Sequence, residues 1–342
     1  MSETVFAVGA DDKRVVNGQS DINQLMPLKY VWAWEFFLNA NKNHWTPLDI
    51  PMGVDLTDFT QKLSEQEQHI VTNVLSYLTT ADILAMRNIG LVVMEKMSAP
   101  ELQIYQARQV YEESLHTWAY QNCIETLGLD QVEIYNRYRV VPEIHGKIDL
   151  TNRRLSQMLS TNIDLKNKDD LYAFMMSYIY FACVFEGTFF YHGFTPIFSL
   201  QRRGLMRGTS EQLQYILRDE TLHFSFGISV IKHLMIEENI YPLVEDLDIM
   251  WKEAYEAEEK YINYILPTPV FGYTVDEHME QFKYVANKRM QQLLGSHSGY
   301  TPFHGAKNVI GWLDEQANIR KEKNFFETRV QEYQTGSGLT WE

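Results

Sequence analysis

VYEESLHTWAYQNCIETL, from Val110 to Leu127, places two chemically demanding side chains on what its apolar spacing makes a long helix. Glu113 and His116 are three residues apart, so they project from one helix face. A carboxylate oxygen and an imidazole nitrogen thereby meet at one point beside the helix. YILRDETLHFSFGISVI, from Tyr215 to Ile231, repeats the arrangement with Glu220 and His223. Roughly one E-x-x-H is expected by chance in a chain of this composition, so the pairs alone say little. Their setting says more. Both lie on apolar faces, where a charged group is costly unless it is paired or bound to a metal.

Two such helices supply half of a two-metal cage. A dinuclear site in a ferritin-like bundle takes one further carboxylate from each of two other helices. Asp82 in VLSYLTTADILAMRNIGLVV and Glu186 in YIYFACVFEGTFFYHGFTPIFSL are lone acids in apolar helical patterns. In chain order the set is Asp82, Glu113 and His116, Glu186, then Glu220 and His223, one contribution per long helix. Four carboxylates and two neutral imidazoles are balanced by two divalent cations, which makes the buried site electrostatically feasible. Oxygen-rich ligation with imidazole suits iron or manganese better than zinc. The competing reading is an acid satisfied by a buried arginine or by an amide. Arg87 offers this to Asp82, whereas the neighbours of Glu186 offer no cation.

The rest of the chain bounds the function. At 342 residues with 45% hydrophobic and 22% charged content, it can bury a large core. A net charge of −15 argues against nucleic acid and anionic membranes as partners. Two cysteines, Cys123 and Cys183, without C-x-x-C spacing fit a reducing cytosol, so a cytoplasmic location is expected. MSETVFAVGADDKRVV at the N-terminus has no signal-peptide pattern. Tyr178–Leu200 is long enough to span a bilayer, but Glu186, His192 and Pro196 mark it as a buried helix of a soluble bundle.

The architecture expected is all-α, a ferritin-like helical bundle with additional helices and a flexible C-terminal tail. Residues 1–20 read as a loose N-terminal segment, 21–315 as the helical domain and 316–342 as a tail. Capping boxes are expected at Ser64/Glu67, Ser98/Glu101, Thr209/Gln212 and Thr274/Glu277. The helices they open should run to about Lys96, to about Leu127, through Glu220 and His223, and to near Gly295. Two more are expected around 168–195 and 243–265, the latter halted by Pro267 and Pro269.

Tyr120 lies one turn beyond His116 on the same face, where a buried phenol beside an oxygen-activating metal pair can be oxidised to a radical. Phe190, Phe194 and Ile216 should line the same dry pocket, a reading that ordinary core packing satisfies equally well.

Taken together, EESLH-x-x-x-Y, FEGTFFYHGF and LRDETLHFSFG, preceded by Asp82, resemble the small, radical-generating subunit of class I ribonucleotide reductase. The similarity runs from about Asn23 to NFFETRVQEY in the tail. It implies a homodimer whose dinuclear centre reacts with oxygen or a related oxidant. The oxidising equivalent then passes to a separate large subunit that reduces ribonucleotides to deoxyribonucleotides. Carried over by motif, the metal ligands are Asp82, Glu113, His116, Glu186, Glu220 and His223, holding two iron ions, with Mn/Mn or Mn/Fe as alternatives. Tyr120 falls at the radical position. Some members carry Phe there with Glu for the first Asp; the Tyr and Asp pairing here favours a tyrosyl radical. Trp45 in NKNHWTP and Asp219 match a relay from His116 towards the surface, and Tyr333 matches the tail tyrosine at the subunit interface. A flavoprotein activator is a further possible partner. The alternative is a stand-alone di-metal oxidase or oxygenase, which would use the same ligands but need an open substrate cavity. An iron-storage protein would need neither Trp45, Asp219 nor Tyr333.

Overall fold

The computed structural model describes residues 9–18, 24–156, 163–270 and 273–313. The principal helices are α1 (Val31–Lys42), α2 (Glu65–Asn88), α3 (Pro100–Thr126), α4 (Gln131–Val140), α5 (Pro142–Ser156), α6 (Lys168–Ile179), α7 (Thr195–Gln201), α8 (Arg207–Glu238), α9 (Val244–Ile265) and α10 (Val275–Leu294). No strand occurs among the described residues, which hold only an isolated bridge between Val270 and Tyr273. The all-α expectation holds. The tail of 316–342, with Tyr333, lies outside the described residues.

Two of the four expected capping boxes form. Ser64 Oγ accepts from Glu67 N at 3.3 Å while Glu67 Oε2 accepts from Ser64 N at 2.8 Å. Thr274 and Glu277 do the same, each bond 3.1 Å. These exchanges satisfy amide donors that a first helical turn leaves without partners.

The other two fail, because a distant side chain claims the position. Asp55 caps α8: its Oδ1 accepts from Gly208 N at 3.0 Å, and its Oδ2 from Thr209 N at 2.7 Å and Thr209 Oγ1 at 2.8 Å. Thr209 is thus a donor to the cap and not the cap itself. The loop before Asp55 presses so closely that a Cβ on Gly208 would meet Pro51 O at 2.6 Å. At the start of α3, the N-cap is Ala99, and Ser98 Oγ donates to Arg14 O at 3.0 Å. Glu101 turns outward, accepting from Lys29 N at 3.0 Å and Tyr30 N at 3.1 Å, and pairs with Lys13 Nζ at 3.2 Å.

That last pairing corrects the expectation of a loose N-terminal segment. Residues 9–18 lie on the bundle, with Val15 and Val16 fully buried. Val15 N donates to Glu237 Oε2 at 2.9 Å, and Arg14 pairs with Glu238 at 2.8 Å. The segment therefore joins the beginning of α3 to the end of α8. Residues 1–8 lie outside the described residues.

The helix begun by α6 does not stop at Ile179. It widens into a π-helix over Tyr180–Phe190, whose eleven residues are all buried. The Lys168–Gln201 run is apolar and long enough to cross a membrane, yet 89% of its most apolar window is buried inside the protein. A similar, more exposed run covers Glu65–Lys96. Side by side, α2 packs along α3, and α8 packs against the π segment and α3. Those four elements enclose the space into which the buried acids project.

Candidate metal centre

Asp82 comes from α2, Glu113 and His116 from α3, Glu186 from the π segment, and Glu220 and His223 from α8. None of the six is more than 2% exposed. They form two quartets of convergent ligand atoms, Asp82, Glu113, His116 and Glu220 in one, Glu113, Glu186, Glu220 and His223 in the other, each with all atoms within 4.8 Å. Glu113 and Glu220 belong to both. Two overlapping quartets that share two carboxylates would suit a pair of metal ions.

Both imidazoles turn Nδ1 inward. His116 Nδ1 lies 3.3 Å from Glu220 Oε1, 3.6 Å from Glu113 Oε2 and 3.9 Å from Asp82 Oδ2. His223 Nδ1 lies 3.1 Å from Glu113 Oε1 and 3.5 Å from Glu220 Oε2. The outward nitrogens have carboxylates of their own: His116 Nε2 faces Asp219 Oδ2 at 3.3 Å, and His223 Nε2 faces Glu112 Oε2 at 2.9 Å. An Nε2–H donated to a carboxylate fixes the tautomer that leaves the Nδ1 lone pair free for a metal. Each outer carboxylate is met by an arginine, Arg108 Nε at 3.0 Å from Glu112 and Arg218 at 3.5 Å from Asp219. The surplus of negative charge stays with the inner four.

Those inner atoms have no other use. Both oxygens of Asp82, Glu113 and Glu220, Oε2 of Glu186 and Nδ1 of each histidine make no hydrogen bond among the described residues. Glu186 Oε1 accepts from Gln109 Nε2 at 2.8 Å. Among the described residues neither Asp82 nor Glu186 has a lysine or arginine partner, which speaks against the arginine reading of Asp82, while Glu186 does meet an amide, that of Gln109. Groups left this way in a dry interior carry a penalty that a cation removes. The donor set fits a dinuclear centre of oxygen-preferring metals.

Burial and the nearby Glu113 push Asp82 well above the usual carboxylate range, and burial does the same for Glu186. Burial alone would raise Glu113, but the two imidazoles beside it hold it below its ordinary value. The surrounding carboxylates raise His116 and His223 despite their burial.

Tyr120 is fully buried, its phenol raised far above its ordinary pKa by burial and by the Asp82 carboxylate. Trp45 Nε1 donates to Asp219 Oδ2 at 3.0 Å, so indole, carboxylate and His116 form one line. The Trp45 ring stacks on Tyr215 at 5.2 Å and 15°. Phe190, Phe194 and Ile216 are fully buried. Sequence reading missed Glu112, Gln109 and Tyr215. Gln109 was findable, one turn before Glu113 on the same face; Glu112 beside Glu113 looks like an ordinary surface charge.

A family model described as ribonucleotide reductase, small chain, matches residues 22–302. The ribonucleoside-diphosphate reductase subunit beta of Chlamydia pneumoniae is 36% identical over 340 residues, 98% of this chain and 96% of that one. The small subunit of Dictyostelium discoideum is 28% identical over 90% of this chain and 85% of its own. Among solved structures, the R2 subunit from Clostridium botulinum superposes with a TM-score of 0.78 at 24% identity, covering 89% of this chain and 94% of that one. A dimanganese(II) NrdF from Streptococcus sanguinis gives 0.67 at 19% identity, covering 86% and 98%. The last two likenesses concern the fold.

Proposed function

Because the chain belongs to the ribonucleotide reductase small-chain family, we propose that it is the radical-generating subunit that serves a separate large subunit in converting ribonucleoside diphosphates to deoxyribonucleotides. The observation that carries the reading is the shared pair Glu113 and Glu220, which belong to both ligand quartets and whose four oxygens make no hydrogen bond among the described residues. The ligands in this proposal are Asp82, Glu113, His116, Glu186, Glu220 and His223, holding two iron ions, with Mn/Mn or Mn/Fe as alternatives. When bound, such a pair supplies one-electron oxidising chemistry with dioxygen or a related oxidant.

The chain's own residues do the rest. Tyr120, sealed from water and beside Asp82, keeps its proton until it is oxidised and then stores the oxidising equivalent as a phenoxyl radical. Asp219 holds His116 and Trp45 on its Oδ2, giving an electron a hydrogen-bonded route between the centre and the rim. Tyr333 in the tail carries the radical on to the large subunit. The working protein is a cytoplasmic homodimer, with a flavoprotein as one source of oxidant.

A stand-alone oxidase on the same cage is disfavoured by space. The cleft that reaches Glu186 and Glu220 holds about 180 Å³, below the roughly 300–1,000 Å³ typical of small-molecule sites. The test is metal analysis together with an electron paramagnetic resonance spectrum of protein from its native host, then turnover with the large subunit. Two metals per chain, a radical signal and a Tyr333→Phe variant that keeps both but stops turnover are expected. A metal-free active protein would overturn the reading.

A further inference from the structure

Glu186 differs from the other five ligands in its support. It is the one drawn from a π-helix, and like Asp82, His116 and His223 it belongs to a single quartet. A π-helix spaces its bonds five residues apart, and where it returns to α geometry some carbonyls lose their regular donor. Here Tyr191 N–H, which in an α-helix would bond Gly187 O, bonds Thr188 O instead. Gly187 O accepts from the Nε of Arg289, on α10, at 2.6 Å.

The arginine is held firmly for this purpose. Its guanidinium lies 4.3 Å from the ring centre of Phe224 and 5.1 Å from that of Tyr191, and Arg289 Nη1 donates to Gln292 Oε1 at 3.2 Å. Phe224 in turn lies so close to Gly187 that a Cβ there would come within 2.8 Å of its ring. The residue following Glu186 is thus fixed by a hydrogen bond on its carbonyl and a ring against its Cα. Arg289 also walls the cleft whose inner end reaches Glu186 and Glu220.

Resting on the metal-centre reading above, we propose that Arg289 is a positioning residue for Glu186. By pinning the Gly187 carbonyl it sets the π-helical turn that aims Glu186 at the metal position shared with His223, and it leaves the position shared by Asp82 and His116 untouched. Support from α10 matters because, among the described residues, the Glu186 carboxylate has a single side-chain hydrogen bond, from the Gln109 amide, and a carboxylate on a widened turn has more ways to point.

The prediction is a split between two binding constants. Full-length, metal-free protein is titrated with Mn(II), and free Mn(II) is followed by electron paramagnetic resonance. The Arg289→Ala variant should keep one binding constant at the wild-type value and weaken the other by about tenfold, the lower end of what loss of an orienting partner costs. Arg289→Lys, which retains a donor, should recover most of it. Circular dichroism melting of the metal-free proteins accompanies each titration. Two unchanged constants in Arg289→Ala, or two that weaken together, would overturn the proposal, the second result with a lowered melting point marking a purely structural arginine. Wild-type protein that binds no pair of ions would instead overturn the metal-centre reading.

Discussion

The indole of Trp45 and the carboxylate of Asp219 meet through a 3.0 Å hydrogen bond across 174 residues of sequence, and the same Asp219 oxygen faces His116. One atom therefore serves both the His116 imidazole and the buried Trp45 indole. Trp45→Phe removes the donor and the readily oxidised indole but leaves Asp219 oriented by His116 and Arg218. Metal content should stay at the wild-type level while nucleotide reduction with the large subunit falls at least a hundredfold. Unimpaired turnover would exclude this route.

Tyr120→Phe deletes one buried oxygen that makes no hydrogen bond of good geometry among the described residues. Its effect on stability should be small, within about 1 kcal/mol. Metal loading should survive and the tyrosyl resonance should vanish. An identical radical spectrum in the variant would place the unpaired electron elsewhere.

His192 gives the fold an acid sensitivity unrelated to the metal centre. It is fully buried, bonds His278 O at 2.9 Å, and is pushed down to about 3 by burial and by His278. The folded chain thus keeps it neutral where the unfolded chain, with an ordinary value near 6.5, takes up a proton. This contribution is fully present above pH 6.5 and is lost as pH falls towards 3. The unfolding free energy of the wild type should fall more steeply than that of His192→Gln, by about 1.4 kcal/mol per pH unit below pH 6. Urea titrations of both proteins at several pH values measure the difference; parallel slopes would refute it.

Asp55→Ala should be among the most damaging substitutions far from the centre. It strips the start of α8 of an acceptor for three donors, in a place water does not reach. The expected cost is about 2–4 kcal/mol, with Asp55→Asn costing less because it keeps one acceptor oxygen. A melting temperature unchanged from the wild type would show that α8 needs no such cap.

What the sequence disclosed and what it hid divide along one physical line. The six buried acids and histidines that converge here were legible because each is anomalous where it stands. An E-x-x-H pair on an apolar face, or a lone Glu186 in an aromatic run, breaks the local pattern. Long helix spans were legible for the same local reason. The N-terminus of α8 was misread because Thr209 and Gln212 satisfy a local rule, while the real cap, Asp55, arrives from over 150 residues away. Ser98 and Glu101 failed similarly, drawn off by Arg14 and Lys13. The π-helix had no signature in the sequence reading; what surrounds it, α8 and α10, comes from distant parts of the chain.

Residues 13–15 carry an implication for anyone shortening this protein. Lys13 neutralises Glu101 twelve residues upstream of Glu113, while Arg14 and Val15 hold Glu238 and Glu237 beyond His223. A truncation starting at Leu25 would delete no ligand and look harmless on an alignment. It would still unfasten both E-x-x-H helices at opposite ends and leave the buried Glu101 carboxylate without its Lys13 counter-charge. Trimmed versions can therefore under-report metal uptake, and crystallisation or tagging strategies should keep the chain intact from Gly9 onward.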